Sequence, residues 1–445
     1  MTMLAQFLAA KEVWVSGSDT DEVFMTDEVL ENAGIEVFEG FDKKNIPRDA
    51  DLIIYSTAYN KDNNEEVANA LDGGKKVLTY AEALSSVFNE SHGIAVTGSH
   101  GKTTTTAWLG YVMREADIGP SVMVGSNVPQ FHGSSIIGGS NYLVIEADEY
   151  QNKLKHFNPR AVLLNNIDYD HPDFFPTKDS YVQVFTDFIK RIPKKGFLIA
   201  NFDDETIRKI AKANAVCNVM TYGTRDDCDY IAYDIRQDAG RQFFKVRLSE
   251  GDELGEFVIR LFGRHNVLNA LAVIAASIEL DIELVDIRKC LEEFSGTSRR
   301  MEVLGQFKGA TIIDDYAHHP TEVKATISGV REMYKDKRIR VIFHPHTFTR
   351  TKALFDDFLE SFEEADELVV LDIYGSAREA HGGVHSKDLL DKIARSSLKI
   401  KGSALYIPTL EEAEKYIRET ARKDDVIILM GAGDVFRIGN NIFGA

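Results

Sequence analysis

The chain has 445 residues, of which 44% are hydrophobic and 27% are charged. The length predicts two to four domains. The composition is typical of globular proteins with ordinary cores, and it excludes wholesale disorder and a collagen-like fold. No stretch approaches the roughly 18 consecutive apolar residues of a spanning helix, so we expect no membrane insertion.

The formal net charge of −19 argues against nucleic acid as a partner, because binding to a phosphate backbone needs a basic surface. A phosphate-bearing small molecule stays compatible, since a few backbone N–H groups and one lysine can bind it. The three cysteines form no C-x-x-C pair, which argues against a disulfide framework or a zinc knuckle. We therefore expect a reducing, cytoplasmic location.

The predicted elements alternate between strands and helices, a pattern typical of parallel α/β sheets. The chain opens with a helical stripe, MTMLAQFLAAK, which lacks the features of a signal peptide. Residues 230–262 break the alternation with three turn-linked strands, which predicts a small antiparallel patch. Helices follow over about 266–280 and 284–294. Short apolar runs predict further strands at residues 13–15, 52–55, 76–78, 94–97, 143–145, 162–164, 198–201, 311–314, 340–343, 367–371, 404–407 and 426–430.

We divide the chain into three domains, residues 1–91, 92–297 and 298–445. The first boundary precedes the strand that leads into a glycine-rich loop. The second follows the two helices after the antiparallel patch. The predicted fold class is α/β throughout.

The strongest local motif is IAVTGSHGKTTTTAWLGYVM, residues 94–113. An apolar strand leads into the loop GSHGKTT, and a helical pattern follows. Glycines allow a tight turn that lets several N–H groups converge on one phosphate, and the helix N-terminus adds positive potential. Lys102 can bridge two phosphates, and a threonine hydroxyl can hold Mg²⁺. An exposed turn with an incidental lysine is the alternative, but strand, loop and helix come in the order that a phosphate loop requires.

Acidic and polar side chains follow two later strands. LVIEADEY (143–150) carries Glu146, Asp148 and Glu149, and VLLNNIDYDH (162–171) ends in Asp170 and His171. In open α/β sheets, ligands bind at the carboxyl ends of the strands, where carboxylates can reach Mg²⁺. Taken alone, each segment could be a solvated acidic loop.

Together these motifs resemble the Mur ligase family, ATP-dependent enzymes that form amide bonds in peptidoglycan precursors. The family's loop reads G-[ST]-x-G-K-[ST]-[ST] at the start of a central domain. DDYAHHPTEV (314–323) and FHPHTFTRT (343–351) are similar to motifs of the branch that acts on UDP-N-acetylmuramate. The resemblance covers almost the whole chain, in family order. It implies a Rossmann-like, UDP-binding N-terminal domain, a central ATP-binding domain with a P-loop sheet, and a Rossmann-like C-terminal domain.

The resemblance implies a site for ATP and Mg²⁺. GRHNVLN (263–269) matches the family's adenine and ribose contacts, although by itself it could be a helix cap. Arg300 matches an arginine that meets the ATP phosphates, and Asp315 a residue that contacts the ribose. The implied ATP contacts are Gly98, Ser99, His100, Gly101, Lys102, Thr103, Thr104, His265, Asn266, Asn269, Arg300 and Asp315, and the implied magnesium ligands are Thr103, Glu146 and His171.

The resemblance also implies a substrate end. Thr347 stands where the branch commonly has arginine, so anchoring of an amino-acid carboxylate would fall more heavily on Arg350. The family's opening strand and G-x-G-G-x-G loop find no match, so we expect about one strand and one loop to be missing before the first helix. The implied catalytic residues are Lys102, His171, Arg300, His318, His346 and Arg350. The implied substrate contacts are Asp19, Ser56, Thr57, Ala58, Gly125, Ser126, Asn127, Asn166 and His319.

The activity that the resemblance implies is ATP-dependent ligation of L-alanine to the lactyl carboxylate of UDP-N-acetylmuramate through an acyl-phosphate, by a monomer or weak dimer. Two alternatives stay open. One is a recycling ligase that joins a peptide, rather than alanine, to the same sugar nucleotide. The other is a non-catalytic homologue that binds ATP. His318 and His346 are both candidates for the base that receives the amine proton.

Overall fold

The N-terminal domain contains two small parallel sheets. The computed structural model describes residues 1–21, 27–238, 240–375, 382–395, 400 and 402–444. The strand predicted at residues 13–15 is wrong: Trp14 is exposed, and the pairing with Glu36–Glu39 begins at Ser16. In this part of the described chain, β1 pairs with β2 and β3 with β4, in place of one continuous Rossmann-like sheet. The elements are α1 Thr2–Ala10, β1 Ser16–Asp19, α2 Asp27–Asn32, β2 Glu36–Glu39, β3 Leu52–Tyr55, α3 Glu65–Asp72, β4 Lys76–Thr79 and α4 Tyr80–Glu90.

The central domain is built on a sheet to which the described residues contribute ten strands. Its order is β14-β13-β12-β11-β10-β9-β5-β8-β6-β7, and the run from β12 to β6 is parallel. The predicted antiparallel patch is present, and it continues this sheet through β12. The strands are β5 His92–Thr97, β6 Ser121–Val128, β7 Gly133–Ile136, β8 Tyr142–Glu146, β9 Ala161–Leu164, β10 Phe197–Asn201, β11 Asn218–Gly223, β12 Tyr230–Asp238, β13 Arg241–Leu248 and β14 Glu253–Ile259.

Helices cover both faces of the central sheet. Lys102–Glu115 (α5) lies on one face, where the indole of Trp108 stacks on Phe294 with ring centroids 5.1 Å apart. Tyr181 and Phe185 belong to the core on the other face. Because both faces are covered, the strands are apolar runs rather than alternating patterns. The remaining helices are α6 Lys178–Ile189, α7 Glu205–Asn214, α8 Arg264–Glu279 and α9 Leu284–Glu293.

The C-terminal domain has a second sheet, with the order β15-β16-β20-β17-β18-β19 among the described residues. Only β15 runs antiparallel to its neighbour there, and the other pairs are parallel. The elements are β15 Glu302–Phe307, β16 Ala310–Asp315, α10 Pro320–Met333, β17 Arg338–Phe343, α11 Phe348–Ala353, α12 Phe355–Ser361, β18 Glu367–Val370, α13 Ser386–Arg395, β19 Ser403–Tyr406, α14 Leu410–Thr420, β20 Asp425–Met430 and α15 Phe436–Phe443.

The predicted α/β class is confirmed, whereas the boundaries at residues 91 and 297 stay predictions. No helix in the described ranges is both long enough and apolar enough to cross a bilayer. The carboxyl ends of β5, β8 and β9 lie side by side, because β5 pairs with both other strands in parallel. The glycine-rich loop and both acidic segments therefore meet at one edge of the central sheet.

Candidate active site

The glycine-rich loop, residues 98–101, joins β5 to α5 in a shape that two glycines permit. Gly98 has φ +132° and Gly101 has φ +79°. A Cβ atom at Gly98 would lie 2.8 Å from the carbonyl oxygen of Asn166, and one at Gly101 would lie 2.6 Å from Oδ1 of Asn269. Other side chains would therefore clash as well as strain the backbone. The loop is tight enough for backbone N–H groups to converge on a phosphate.

Lys102 is the first residue of α5, and its ammonium group lies beneath the loop. It donates to the carbonyl oxygens of Gly98 (2.5 Å) and Ser99 (3.0 Å), and it pairs with Oε2 of Glu149 at 3.0 Å. Burial would lower the pKa of Lys102, but Glu149 and neighbouring acids raise it above its ordinary value. The side chain is therefore a fixed cation. Glu149 is buried and also accepts a hydrogen bond from Tyr181.

Two of the three expected magnesium ligands are in contact. The hydroxyl of Thr103 lies 2.9 and 3.0 Å from the carboxylate oxygens of Glu146, which also accepts the N–H of Gly125. These oxygen donors suit Mg²⁺. His171 lies instead beside Glu149, with Nε2 3.7 Å from Oε1, and it groups with Asp148 and Glu149. The backbone of His171 has φ +56°, a left-handed conformation that is uncommon for a residue with a Cβ atom.

The expected adenine and ribose contacts lie at the start of α8, against the loop. The side-chain amide of Asn266 donates to the carbonyl of Phe262 at 2.7 Å and lies 3.1 Å from Nε2 of His265. Asn269 donates to Asn266 at 3.1 Å. Asn266 is inside the helix, so it is not the N-cap. Burial lowers the pKa of His265 to about 4, so the ring is neutral. It can present a nitrogen lone pair to the N–H group of a nucleotide base.

Asp315 and Arg300 come from the C-terminal domain. The Asp315 carboxylate accepts the N–H groups of Met301 (2.7 Å) and Ala317 (2.8 Å) and the hydroxyl of Thr326 (3.2 Å). The guanidinium of Arg300 lies 4.8 Å from the ring centre of Tyr316. Arg300 also lies 3.9 Å from Oε1 of a buried acid, Glu322.

Glu322 contacts several residues of the site, and the sequence motifs gave it no role. It lies in the first turn of α10, with Oε1 3.1 Å from Nδ1 of His100 and Oε2 3.3 Å from Nδ1 of His318. Burial would raise its pKa, but the surrounding cationic groups, His100 and Arg300 among them, hold it well below its ordinary value. The glutamate therefore links the glycine-rich loop to the C-terminal domain. It was visible in DDYAHHPTEV, as the acid three residues after His319 that completes a capping box.

The second link between the central and C-terminal domains centres on Asp168, which three side chains contact. His100 Nε2 lies 3.1 Å from Oδ2 of Asp168, and His319 Nδ1 lies 3.4 Å from the same oxygen. The hydroxyl of Thr321 donates to that oxygen at 2.5 Å. Burial would lower the pKa of His100, but Glu322 and Asp168 raise it to about 9, so the ring carries a positive charge at neutral pH.

The third link is a buried ion pair. Arg350 reaches Oδ1 of Asp170 with Nε at 3.0 Å and Oδ2 with Nη2 at 3.3 Å. The side chain expected to anchor a substrate carboxylate therefore has a protein carboxylate as its partner here. His346 lies 3.3 Å from Arg350 and stacks on Tyr374, with ring centroids 5.6 Å apart.

Thr347 and His318 flank this pair. Thr347 has φ +68°, a strained conformation for a β-branched residue, and its hydroxyl accepts the N–H of Arg350 at the start of α11. Burial lowers the pKa of His318 to about 3, so its imidazole is neutral. Its Nδ1 lies 2.9 Å from the carbonyl oxygen of Tyr316.

Several residues expected to contact the substrate also have partners within the protein. Asn166 holds the backbone of His100 at both ends, accepting its N–H at 2.8 Å and donating to its carbonyl at 3.1 Å. The hydroxyl of Ser126 donates to the carbonyl oxygen of Ser298 at 2.9 Å. The backbone carbonyl oxygen of Asn127 accepts the N–H of Ser298 at 2.9 Å. These contacts fix the connection into the C-terminal domain.

The expected UDP contacts lie on the N-terminal domain. Asp19 ends β1, and its carboxylate accepts the N–H of Thr20 at 2.8 Å. The Ser56 hydroxyl accepts the N–H of Ala58 at 3.2 Å in the turn after β3. Thr57 donates to Gln151 of the central domain at 3.2 Å. That contact brings this turn to the acidic segment of the central domain.

Comparison with known proteins matches three consecutive stretches of the chain to domains of one family. Residues 1–92 match a Mur ligase family catalytic domain, residues 96–277 a Mur ligase middle domain, and residues 299–433 a Mur ligase glutamate ligase domain. The UDP-N-acetylmuramate–L-alanine ligase of Desulfitobacterium hafniense is 38% identical over 99% of this chain and 96% of its own length. The chain belongs to the Mur ligase family.

Solved structures of Mur ligases agree. The UDP-N-acetylmuramate–alanine ligase of Thermotoga maritima superposes with a TM-score of 0.83 at 26% identity, covering 100% of this chain and 96% of that one. A murein peptide ligase of Psychrobacter arcticus has a TM-score of 0.75 at 25% identity, with the same coverage. Mur ligases are ATP-dependent and generally use Mg²⁺. In this Mur ligase, the glycine-rich loop, the acidic segments and the C-terminal domain meet at one place.

Proposed function

We propose that this Mur ligase joins L-alanine to the lactyl carboxylate of UDP-N-acetylmuramate at the expense of ATP. The relative from D. hafniense and the solved structure from T. maritima are both named for that activity. The observation that carries the proposal most directly is the direct contact of the C-terminal domain with the glycine-rich loop. Nδ1 of His100 lies 3.1 Å from Oε1 of Glu322 there, which supports an ATP site and an amino-acid site that are both covered by the C-terminal domain.

The phosphate end of ATP would lie against the glycine-rich loop and Lys102. Lys102 is a buried cation whose present partners include an acid and two carbonyl oxygens, so phosphate oxygens would join or replace them. Thr103 and Glu146 would hold Mg²⁺, with His171 reaching the site from the next acidic segment. The metal would supply neutralisation of phosphate charge.

The reaction needs activation, because a carboxylate and an amine do not condense in water. An oxygen of the lactyl carboxylate attacks the γ-phosphorus, and ADP leaves. The alanine nitrogen then attacks the acyl carbon, phosphate leaves, and the nitrogen gives up a proton. Such chemistry depends mainly on positioning and on charge neutralisation, which a fixed cation such as Lys102 provides. Exclusion of water by the closed C-terminal domain protects the acyl-phosphate.

The amino-acid end would be formed by His318, His346 and Arg350. Arg350 could exchange its partner Asp170 for a substrate carboxylate, since the guanidinium fork fits either group. The neutral His318 has a pKa of about 3, which makes it a poor proton acceptor at neutral pH. His346, whose Nδ1 lies 3.3 Å from Nη1 of Arg350, is the other candidate base. UDP would lie between the N-terminal and central domains, near Asp19 and the turn 56–58.

We further propose that the enzyme works in the cytoplasm as a monomer or weak dimer. ATP and UDP-linked sugars are its substrates. Its net charge of −19 disfavours nucleic acid as a partner.

Turnover assays test the function against its alternatives. Phosphate release is measured with ATP, Mg²⁺ and UDP-N-acetylmuramate, with either L-alanine or a tripeptide as acceptor. Release that depends on L-alanine, together with mass-spectrometric detection of the UDP-muramoyl-alanine product, is expected. Preference for the tripeptide would favour the recycling ligase, for which the likeness to the P. arcticus enzyme is the supporting observation. ATP binding without substrate-dependent release would favour a non-catalytic homologue.

A further inference from the structure

Three potential metal ligands converge outside the expected magnesium site. They are His100 in the glycine-rich loop, Asp168 after β9, and His319 at the N-cap of α10. One donor atom from each residue lies within 4.8 Å of the donors of the other two. The measured separations from Oδ2 of Asp168 are 3.1 Å to Nε2 of His100 and 3.4 Å to Nδ1 of His319. Ligand atoms that each lie about 2 Å from one tetrahedral ion are separated from one another by distances close to these two values.

The second nitrogen of each imidazole is held by an oxygen. Nδ1 of His100 lies 3.1 Å from a carboxylate oxygen of Glu322, and Nε2 of His319 lies 3.2 Å from the carbonyl oxygen of Tyr169. Histidines that bind metals typically donate their other N–H to a carboxylate or a carbonyl in this way, which fixes the tautomer and the ring orientation. Nδ1 of His319 also accepts the N–H of Thr321 at 3.3 Å, so it carries a lone pair and no proton.

We propose that His100, Asp168 and His319 form a binding site for Zn²⁺ or a similar transition-metal ion. The ion takes the place of the proton between Nε2 of His100 and Asp168, and that proton is released to solvent. Two imidazoles and one carboxylate suit Zn²⁺ and Co²⁺, whereas Mg²⁺ prefers oxygen donors such as those of Thr103 and Glu146. The Asp168 side chain is 37% exposed, which leaves a path for the ion and for a water as fourth ligand. The hydroxyl of Thr321 stands beside that carboxylate.

The position of this site gives it a consequence for the whole enzyme. His100 and Asp168 belong to the central domain and His319 to the C-terminal domain. A bound ion therefore ties the glycine-rich loop to the domain that closes over it. Substrate entry and product release require that closure to open. Zn²⁺ is accordingly expected to inhibit turnover without competing with Mg²⁺.

Cobalt provides a direct readout. The EDTA-treated full-length protein, in excess Mg²⁺ and without nucleotide, is titrated with Co²⁺, and the visible absorption of the ion is recorded. One Co²⁺ per chain with the intense bands of a low-coordinate site is expected, and Zn²⁺ should displace it. Asp168→Asn and His319→Gln should each abolish the bands. Glu322→Gln, which alters the support of His100, should weaken binding by roughly 10–100-fold.

The matched control is His171→Gln, which removes the imidazole of the other acidic cluster, Asp148–Glu149–His171. The proposal requires that this variant keep the cobalt bands. Loss of the bands in His171→Gln, with retention in Asp168→Asn and His319→Gln, would place the ion in the magnesium site and overturn the proposal. Absence of the bands in the wild type would overturn it too. Circular dichroism of each metal-free variant confirms folding, and the two ligand variants test the site independently.

Discussion

A buried ion pair joins Lys102 to Glu149 beneath the glycine-rich loop. The ammonium side chain is 13% exposed and the carboxylate 1%. Removal of one member of a buried pair leaves the other uncompensated, which costs more than the pair itself contributes. Lys102 therefore serves both the proposed chemistry and the stability of the loop, and these two roles can be separated by substitution.

Lys102→Met is expected to reduce turnover by at least about 10²-fold, because a fixed cation at the phosphates is lost. It should also destabilise the fold by about 3 kcal/mol, since Glu149 is left buried without its counter-charge. The double variant Lys102→Met/Glu149→Gln should regain most of that stability and none of the activity. Urea unfolding and phosphate release measure the two effects. Equal stability of the single and double variants would contradict the pairing.

The charge on His100 predicts a pH dependence in metal-free protein. Its pKa is about 9 in the folded chain, above the ordinary value of 6.5, because Glu322 and Asp168 outweigh the effect of burial. Protonation thus favours the folded, closed form. This stabilisation is complete below the ordinary value and is lost as pH rises through the folded value. The urea midpoint of the wild type should fall over that interval, and the fall should be smaller in His100→Gln. Parallel curves for the two proteins would exclude this contribution.

At the scale of elements, the loop between β5 and α5 depends on close approach as well as on backbone freedom. Gly101 has φ +79° and stands against Asn269, whereas Gly119 has φ +66° with its nearest neighbours 3.8 Å from a built Cβ. A substitution at Gly119 therefore tests backbone strain alone, and one at Gly101 tests strain together with a steric collision.

Gly119→Ala is expected to cost about 1 kcal/mol, the usual cost of a left-handed conformation for a residue with a Cβ. Gly101→Ala should cost more and should also weaken nucleotide binding, because the loop must move away from Asn269. Urea unfolding and the fluorescence of a bound nucleotide analogue measure these effects. A Gly101→Ala protein with the nucleotide affinity of Gly119→Ala would show that the loop tolerates the collision.

At the scale of the whole molecule, the contacts between the central and C-terminal domains include His100 with Glu322, Asp168 with His319, and Asp170 with Arg350. Each joins an acidic side chain to a histidine or an arginine across the domain boundary. The first two include residues of the proposed zinc site. The third is the most buried of them, with both side chains 7% exposed.

Asp170→Asn is expected to open the C-terminal domain. Arg350 loses its counter-charge in a buried position, which costs about 3–5 kcal/mol when a buried pair is broken. Small-angle X-ray scattering should detect a larger radius of gyration. The control is Asp72→Asn, which removes an exposed pair with Lys61 and should change stability by less than about 1 kcal/mol. An unchanged radius in Asp170→Asn would argue against this pair as a closing contact.

The sequence predicted most strands because buried parallel strands are uninterrupted apolar runs. It placed the first strand too early, since VWV at residues 13–15 is apolar but Trp14 is 69% exposed. It did not predict β2, β6, β7, β11 or β15. In β6, the polar segment Gly125–Asn127 interrupts the apolar run before the last residue. An apolar run does not by itself fix strand pairing, because pairing is decided by neighbours that are distant in the chain.

The sequence by itself determined the α/β class and the position of the glycine-rich loop between a strand and a helix. Both depend on local patterns: glycines at fixed spacing, a lysine at a helix start, and apolar runs between helical stretches. Only the tertiary structure revealed that Glu149 pairs with Lys102, that Glu322 lies between His100 and His318, and that Arg350 pairs with Asp170. Those partners are up to 222 residues apart. A charge acquires its role from whichever opposite charge the folded chain buries beside it, and no local pattern encodes that choice.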